Sequence, residues 1–234
     1  MLIIMCSLIG LQAQHPSGVN YPQLDAHLVS IWIQAEKNDI SKLVAVYPTL
    51  QTEWNHVKSN LLTKEIRHLN LSQLVADLDL EIAQMGAHIN KEHFDALVRA
   101  TKSILYSFKE TRQFYTGEKS ALDDFLSTWQ IYEELHYAVD DEMLGLYEWD
   151  EFNQLFLDFQ EHFKEYVHTA TPAFEGESKL LFDLCVRRVE ECMEEFAHTL
   201  ATAQQNQFEA PCDDTRDALM DILSLYQYPS SSMQ

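Results

Sequence analysis
Basic side chains are scarce in this sequence, and scarcest where acidic ones crowd. The 234 residues hold 16 Lys and Arg against 37 Asp and Glu, a formal charge of −21. Residues 1–119 are close to balance, with 11 basic and 12 acidic groups, whereas residues 120–234 carry 5 basic and 25 acidic ones. No Lys or Arg occurs between Ala121 and Phe163. Nucleic-acid binding needs clustered cations against the phosphates, and that class of function is excluded. The same charge repels anionic lipid surfaces. Such a field attracts a metal cation or a basic protein partner; its plainer reading is a highly soluble surface.

Glycine and proline are also rare, six of each. So few breakers in a chain that is 46% hydrophobic point to long helices with short connections. No apolar run is long enough to cross a bilayer. The one uncharged apolar stretch, "MLIIMCSLIGLQAQ" at 1–14, reads as the apolar core and small-residue cleavage site of a signal peptide, cut near Ala13 or Gln14. It lacks a basic leader. Cys6 raises a lipoprotein alternative, which bulky Met5 before it disfavours. The expectation is an exported, periplasmic or secreted protein without residues 1–14. Of four cysteines, Cys185, Cys192 and Cys212 then remain. The first two lie seven positions apart on one helix, about 10 Å along its axis, beyond disulfide reach. They share a face with Leu181, Val189 and Phe196, so buried free thiols are expected. There is no Cys-x-x-Cys, no covalent-haem motif, no P-loop, no Gly-x-Ser-x-Gly, no His-Glu-x-x-His and no dinucleotide fingerprint. An enzyme is therefore not the favoured reading.

Apolar residues at 3–4 spacing predict an all-α helical bundle of about eight helices. They fall at about 22–37, 40–62 (capped by Asp39, bent or restarted at Pro48), 70 onward, up to Tyr115, 120–143, 150–169, 178–205 and 212–226. "YTGEKS" at 115–120 is the clearest linker. It divides a first helical half, 15–117, from an acidic second half, 118–228, with a disordered tail at 229–234. A shift of 109 residues superposes the apolar pattern of the second helix on that of the sixth, so the halves read as two tandem four-helix units.

One polar pattern recurs. Glu-x-x-His occurs at Glu53/His56, Glu65/His68, Glu133/His136, Glu165/His168 and Glu195/His198, where 21 Glu and 10 His placed at random give about one. Ordinary i,i+3 pairing on a wet helix face explains four of these. The fifth differs: His136 projects into the stripe of Leu122, Phe125, Leu126, Trp129, Tyr132 and Val139, and Glu133 and Asp140 follow its edge. Carboxylates beside an imidazole in a low-dielectric setting need a compensating cation. A transition metal ion held by Glu133, His136 and Asp140 would supply one, as in carboxylate-bridged bundles, with His27 or His162 as helpers. The function expected first is nonetheless a non-enzymatic exported bundle with a binding or structural role in the cell envelope. A metal- or cofactor-binding bundle is the alternative. "LGLYEW" at 144–149 is a further candidate protein-binding patch.

Overall fold
A computed structural model describes residues 21–62, 71–115, 119–140, 149–202 and 208–228. These form eight α-helices: α1 (Tyr21–Glu36), α2 (Ile40–Leu62), α3 (Leu71–Asn90), α4 (Phe94–Tyr115), α5 (Ala121–Asp140), α6 (Trp149–Ala170), α7 (Gly176–Thr202) and α8 (Glu209–Leu225). A single 3₁₀ turn, Thr171–Ala173, links α6 towards α7. No strand occurs among the described residues. The leader at 1–14, the tail at 229–234, the Glu65/His68 pair and most of "LGLYEW" lie outside them.

Short turns connect the first helices. Asp39 caps α2, its Oδ1 accepting from the Lys42 amide (3.2 Å) and the Ser41 hydroxyl (2.7 Å). Asn38 (φ 52°) and Glu92 (φ 54°) take the left-handed conformation that ends α1 and α3. Ser120 and Asp123 form a reciprocal cap at the start of α5: the Asp123 amide donates to Ser120 Oγ (3.1 Å), and the Ser120 amide to Asp123 Oδ2 (3.0 Å). Helix α2 runs through Pro48 without restarting; the ring stands on the exposed face. Helix α8 begins three residues before the expected start. Pro211 and Cys212 lie in its first turn, where a missing amide proton costs nothing within the helix.

The helices pack as two groups of four. In the first, α1 touches α2 and α4, and α3 closes the ring between them. In the second, α5 packs on α6 and α7 on α8, closed by α6–α7 and α5–α8 contacts. The groups meet where α1 touches α8 and α4 touches α5. Helix α1 is therefore covered on most of its surface beyond its first turn. Eleven of its residues are buried, among them Ala26, Val29, Trp32 and Ile33, which a single stripe would leave in water. The core is mostly aliphatic in the first group and rich in aromatic rings in the second. Trp32 of α1 meets Trp129 of α5 edge to face at 5.0 Å, joining the two groups. In the second group, Phe156 stacks on Phe196 at 4.8 Å, with Phe152 and Phe208 against them.

The buried stripe of α7 lies one position round from the expected one. Phe182, Val186, Val189, Met193 and Phe196 turn inward, and Cys185 and Cys192 run along its half-buried edge. Burial pushes both of those thiols up in pKa. The rotation leaves Leu180, Leu181 and Leu184 exposed, by 66%, 46% and 59%. Cys185 and Cys192 are free thiols, as expected.

Candidate functional site
The His/carboxylate edge of α5 faces the seam between the two groups. Its compensating charge comes from α4, an element not considered for this role in the sequence. Lys102 forms an ion pair with Glu133, and its ammonium lies 5.6 Å from the centre of the Trp32 ring. One turn along α4, the Tyr106 hydroxyl donates to the Leu126 carbonyl at 3.4 Å. Lys109 then donates to Ser127 Oγ at 2.7 Å. At the far end Arg112 grips Asp123 through Nε (3.2 Å) and Nη2. Residues 102, 106, 109 and 112 recur at helical spacing, and their partners run backwards along α5, so the two helices are antiparallel and zipped by polar contacts.

Arg112 also reaches α1. Its Nη1 donates to both Asp25 oxygens, at 2.9 and 2.8 Å. Asp25, Arg112 and Asp123 are all buried, at 7%, 5% and 0% exposure. Two carboxylates thus share one guanidinium away from water. Burial raises the Asp25 carboxyl to about 6; Arg112 opposes this shift and Asp123 adds to it. Burial alone would lower the Arg112 pKa, but the carboxylates on either side raise it. A third crossing joins α8 to α1, where Arg216 pairs with Glu36 at 2.5 Å and Trp32 Nε1 donates to the same carboxylate at 3.2 Å.

His136 is half-buried between α5 and α8. Its ring stacks on Tyr132 at 5.9 Å with planes 14° apart, and its Nδ1 lies 3.4 Å from Cys212 Sγ. The Tyr132 hydroxyl donates to the Cys212 carbonyl at 3.1 Å. Burial raises the Tyr132 pKa and keeps that hydroxyl protonated. An imidazole and a thiol at this distance can share a proton, or present nitrogen and sulfur donors to one soft metal ion.

The other sequence candidates disperse. Glu133 is turned to Lys102, and the Asp140 side chain lies outside the described residues. His27 is half-buried; its Nε2 is buried with no hydrogen-bond partner. Burial lowers its pKa, and Glu53 of α2 opposes the shift. His162 is exposed and bonded through Nδ1 to the Asp158 carbonyl at 2.9 Å. No group of three or more His, Cys, Asp or Glu is gathered for a metal ion among the described residues. Of the other Glu-x-x-His pairs, Glu165, His168, Glu195, His198 and His56 are exposed, as expected for surface pairs.

Sequence reasoning missed Lys102, Arg112 and Cys212. A signal existed for the first two: Lys102, Lys109 and Arg112 form a cationic stripe at 3–4 spacing beside the apolar face of α4. Nothing local pointed to Cys212. Fold and seam together define an all-α helical bundle whose two four-helix groups are locked by buried and half-buried ion pairs. Comparison with protein-family models, with curated proteins and with solved structures returns no match. No described helix is long and apolar enough to cross a membrane.

Proposed function
We propose that this chain is an exported, non-enzymatic helical-bundle protein that binds a basic partner on the outer face of α7 and α8. One observation carries the reading: exposed leucines lie on the same helix as a dense, predominantly acidic surface. Leu180, Leu181 and Leu184 stand in water near the start of α7. Further along, Glu190, Glu191, Glu194 and Glu195 are exposed, as are Asp213, Asp214 and Asp217 of α8. Asp214, Glu191 and Glu195 all act on the Cys192 thiol, so the carboxylates of the two helices share one surface. Of the nearby cations, Lys179 is bound to Asp183, Arg188 to Asp221 and Arg216 to Glu36, and exposed Arg187 stands between the leucines and the glutamates, so acidic groups outnumber basic ones on this face. Apolar anchors beside a predominantly acidic field suit a cationic amphipathic segment, captured electrostatically and held by apolar burial. The export reading rests on the leader-like residues 1–14, and the non-enzymatic reading on the absence of a catalytic motif.

The test is titration of the full chain with an amphipathic Lys/Leu helical peptide, followed by anisotropy. Binding should weaken steeply between about 0.05 and 0.5 M salt as the Debye length shrinks. It should weaken about tenfold further when Leu180 and Leu184 are changed to Ser, since two buried leucines are at stake. Salt-independent binding, or none at the lowest salt, refutes the reading.

The 3.4 Å approach of His136 Nδ1 to Cys212 Sγ favours a second reading, a transition-metal site. Cys212 replaces Glu133 as the donor beside His136. Elemental analysis after incubation with copper, zinc, iron and manganese tests it. Stoichiometric metal that is lost in His136→Ala and Cys212→Ser supports the site; metal-free protein sinks it.

A further inference from the structure
At the end of the seam marked by Asp25, a cavity of about 230 Å³ opens between the first turns of α1 and α5, the 3₁₀ turn and the end of α8. Its walls are apolar: Leu122, Phe174, Leu225 and the ring of Tyr226. The Tyr226 hydroxyl is occupied by that of Tyr166 at 2.9 Å. Among the described residues, Asp25 is the one charged side chain that lines the cavity. Asp123, the second carboxylate on Arg112, is fully buried and does not reach it.

The bonding of Asp25 at this floor is unfinished. One guanidinium is bonded to both buried carboxylates, and a further cation, half-buried Lys109 of α4, bears on Asp123, whereas Arg112 is the cation bonded to Asp25. Arg112 Nη1 approaches both Asp25 oxygens, yet a carboxylate has lone pairs for about four hydrogen bonds. Buried charge of this kind is stabilised by a cation brought to it. The volume is below that of drug-sized sites and equals about eight water molecules. We infer that this cavity binds a small apolar amine, its ammonium on Asp25 and its hydrocarbon body against Leu122, Phe174 and Leu225. The charged groups acting on Asp25 are Arg112 from α4 and Asp123 from α5; the lining residues from α8 and the 3₁₀ turn carry no charge. The raised Asp25 pKa follows chiefly from burial, which Arg112 opposes and Asp123 reinforces. It makes amine binding favour pH above about 6, where the carboxyl is ionised.

The experiment is calorimetric titration of the full chain with phenethylamine, and with 2-phenylethanol as the neutral isostere. One-to-one binding near 1 mM is expected at pH 7.5, the affinity reasonable for so few atoms. At pH 5 about nine-tenths of the Asp25 carboxyl is protonated, and binding should weaken about tenfold. The alcohol should bind at least about tenfold more weakly than the amine at pH 7.5. Ala173→Trp fills the mouth of the cavity without touching the ion cluster and should abolish binding at unchanged stability. Asp25→Asn should remove both the pH dependence and the preference for the amine. If Asp25→Asn does not fold, the pH series and Ala173→Trp decide. No saturation by about 20 mM amine, equal binding of amine and alcohol, or wild-type binding by Ala173→Trp each overturns the proposal.

Discussion

The buried Asp25–Arg112–Asp123 cluster gives the folded chain a pH response opposite to ordinary acid destabilisation. In the native state Asp25 titrates near 6, against 3.8 for a free carboxyl. An acid whose folded pKa is raised binds its proton more tightly when folded. Its ionisation therefore costs stability, and that cost is relieved as pH falls from above 6 towards 3.8. The difference between the two values corresponds to about 3 kcal/mol in full, of which about 2 kcal/mol is recovered by pH 4.5. Other carboxylates titrate in the same range, and relief of net charge also acts. The measurement is therefore differential: urea unfolding of the wild type and Asp25→Asn, followed by tryptophan fluorescence at a series of pH values. Asparagine keeps the shape and cannot titrate, so any fixed cost of its weaker bond to Arg112 cancels in the pH dependence. From pH 7.5 to 4.5 the wild type should gain about 2 kcal/mol relative to the variant. Parallel curves, or a wild type that loses ground to the variant on acidification, would refute the claim that burial outweighs Arg112 at Asp25.

Changing Lys102 to Met leaves Glu133 half-buried without its partner. A loss of about 1 kcal/mol is expected after allowance for solvent screening, recovered in part by adding Glu133→Gln; a double-mutant cycle in urea checks this. Gly86 faces Tyr47, whose Oη would lie 2.6 Å from an added Cβ. Gly86→Ala should therefore destabilise by about 1 kcal/mol despite better helix propensity, and stabilise by about the same amount in a Tyr47→Ala background. Phe196→Ala removes a ring packed among Phe152, Phe156 and Phe208 and should cost about 3–5 kcal/mol in chemical unfolding. A thiol reagent on the native protein should modify half-buried Cys185 and Cys192 well before buried Cys212, as peptide mapping would read out.

The helices were legible because local signals and apolar period agree. Asp39 before α2 and the period running through to Tyr115 at the end of α4 place those boundaries correctly. The start of α8 was not, because Pro211 reads as a breaker when taken alone and as a first-turn residue once the helix has begun before it. The inward face of α7 was displaced for a related reason. Leu180, Leu181 and Leu184 are as apolar as the residues that are buried, and only the neighbouring helices decide which stripe turns inward. The polar edge of α5 was recognised as needing a cation, but the source of that cation depends on register. Glu133 meets Lys102 only because α4 and α5 run antiparallel, and His136 meets Cys212 only because α8 folds back onto α5. Those partners are 31 and 76 positions apart, and no local pattern encodes either distance.

The extensive burial of α1 bears on the order in which the molecule can be completed. This is the first described helix to leave the ribosome, yet part of its cover is α8, the last. Glu36 waits for Arg216, 180 positions later. Until α8 has been made, α1 has no complete set of neighbours, and the hydrophobic surface reserved for α8 stays open to water or to a chaperone. Folding to the final state is thus deferred until α8 has been made. A chain released before residue 209 would present that bare side of α1 permanently.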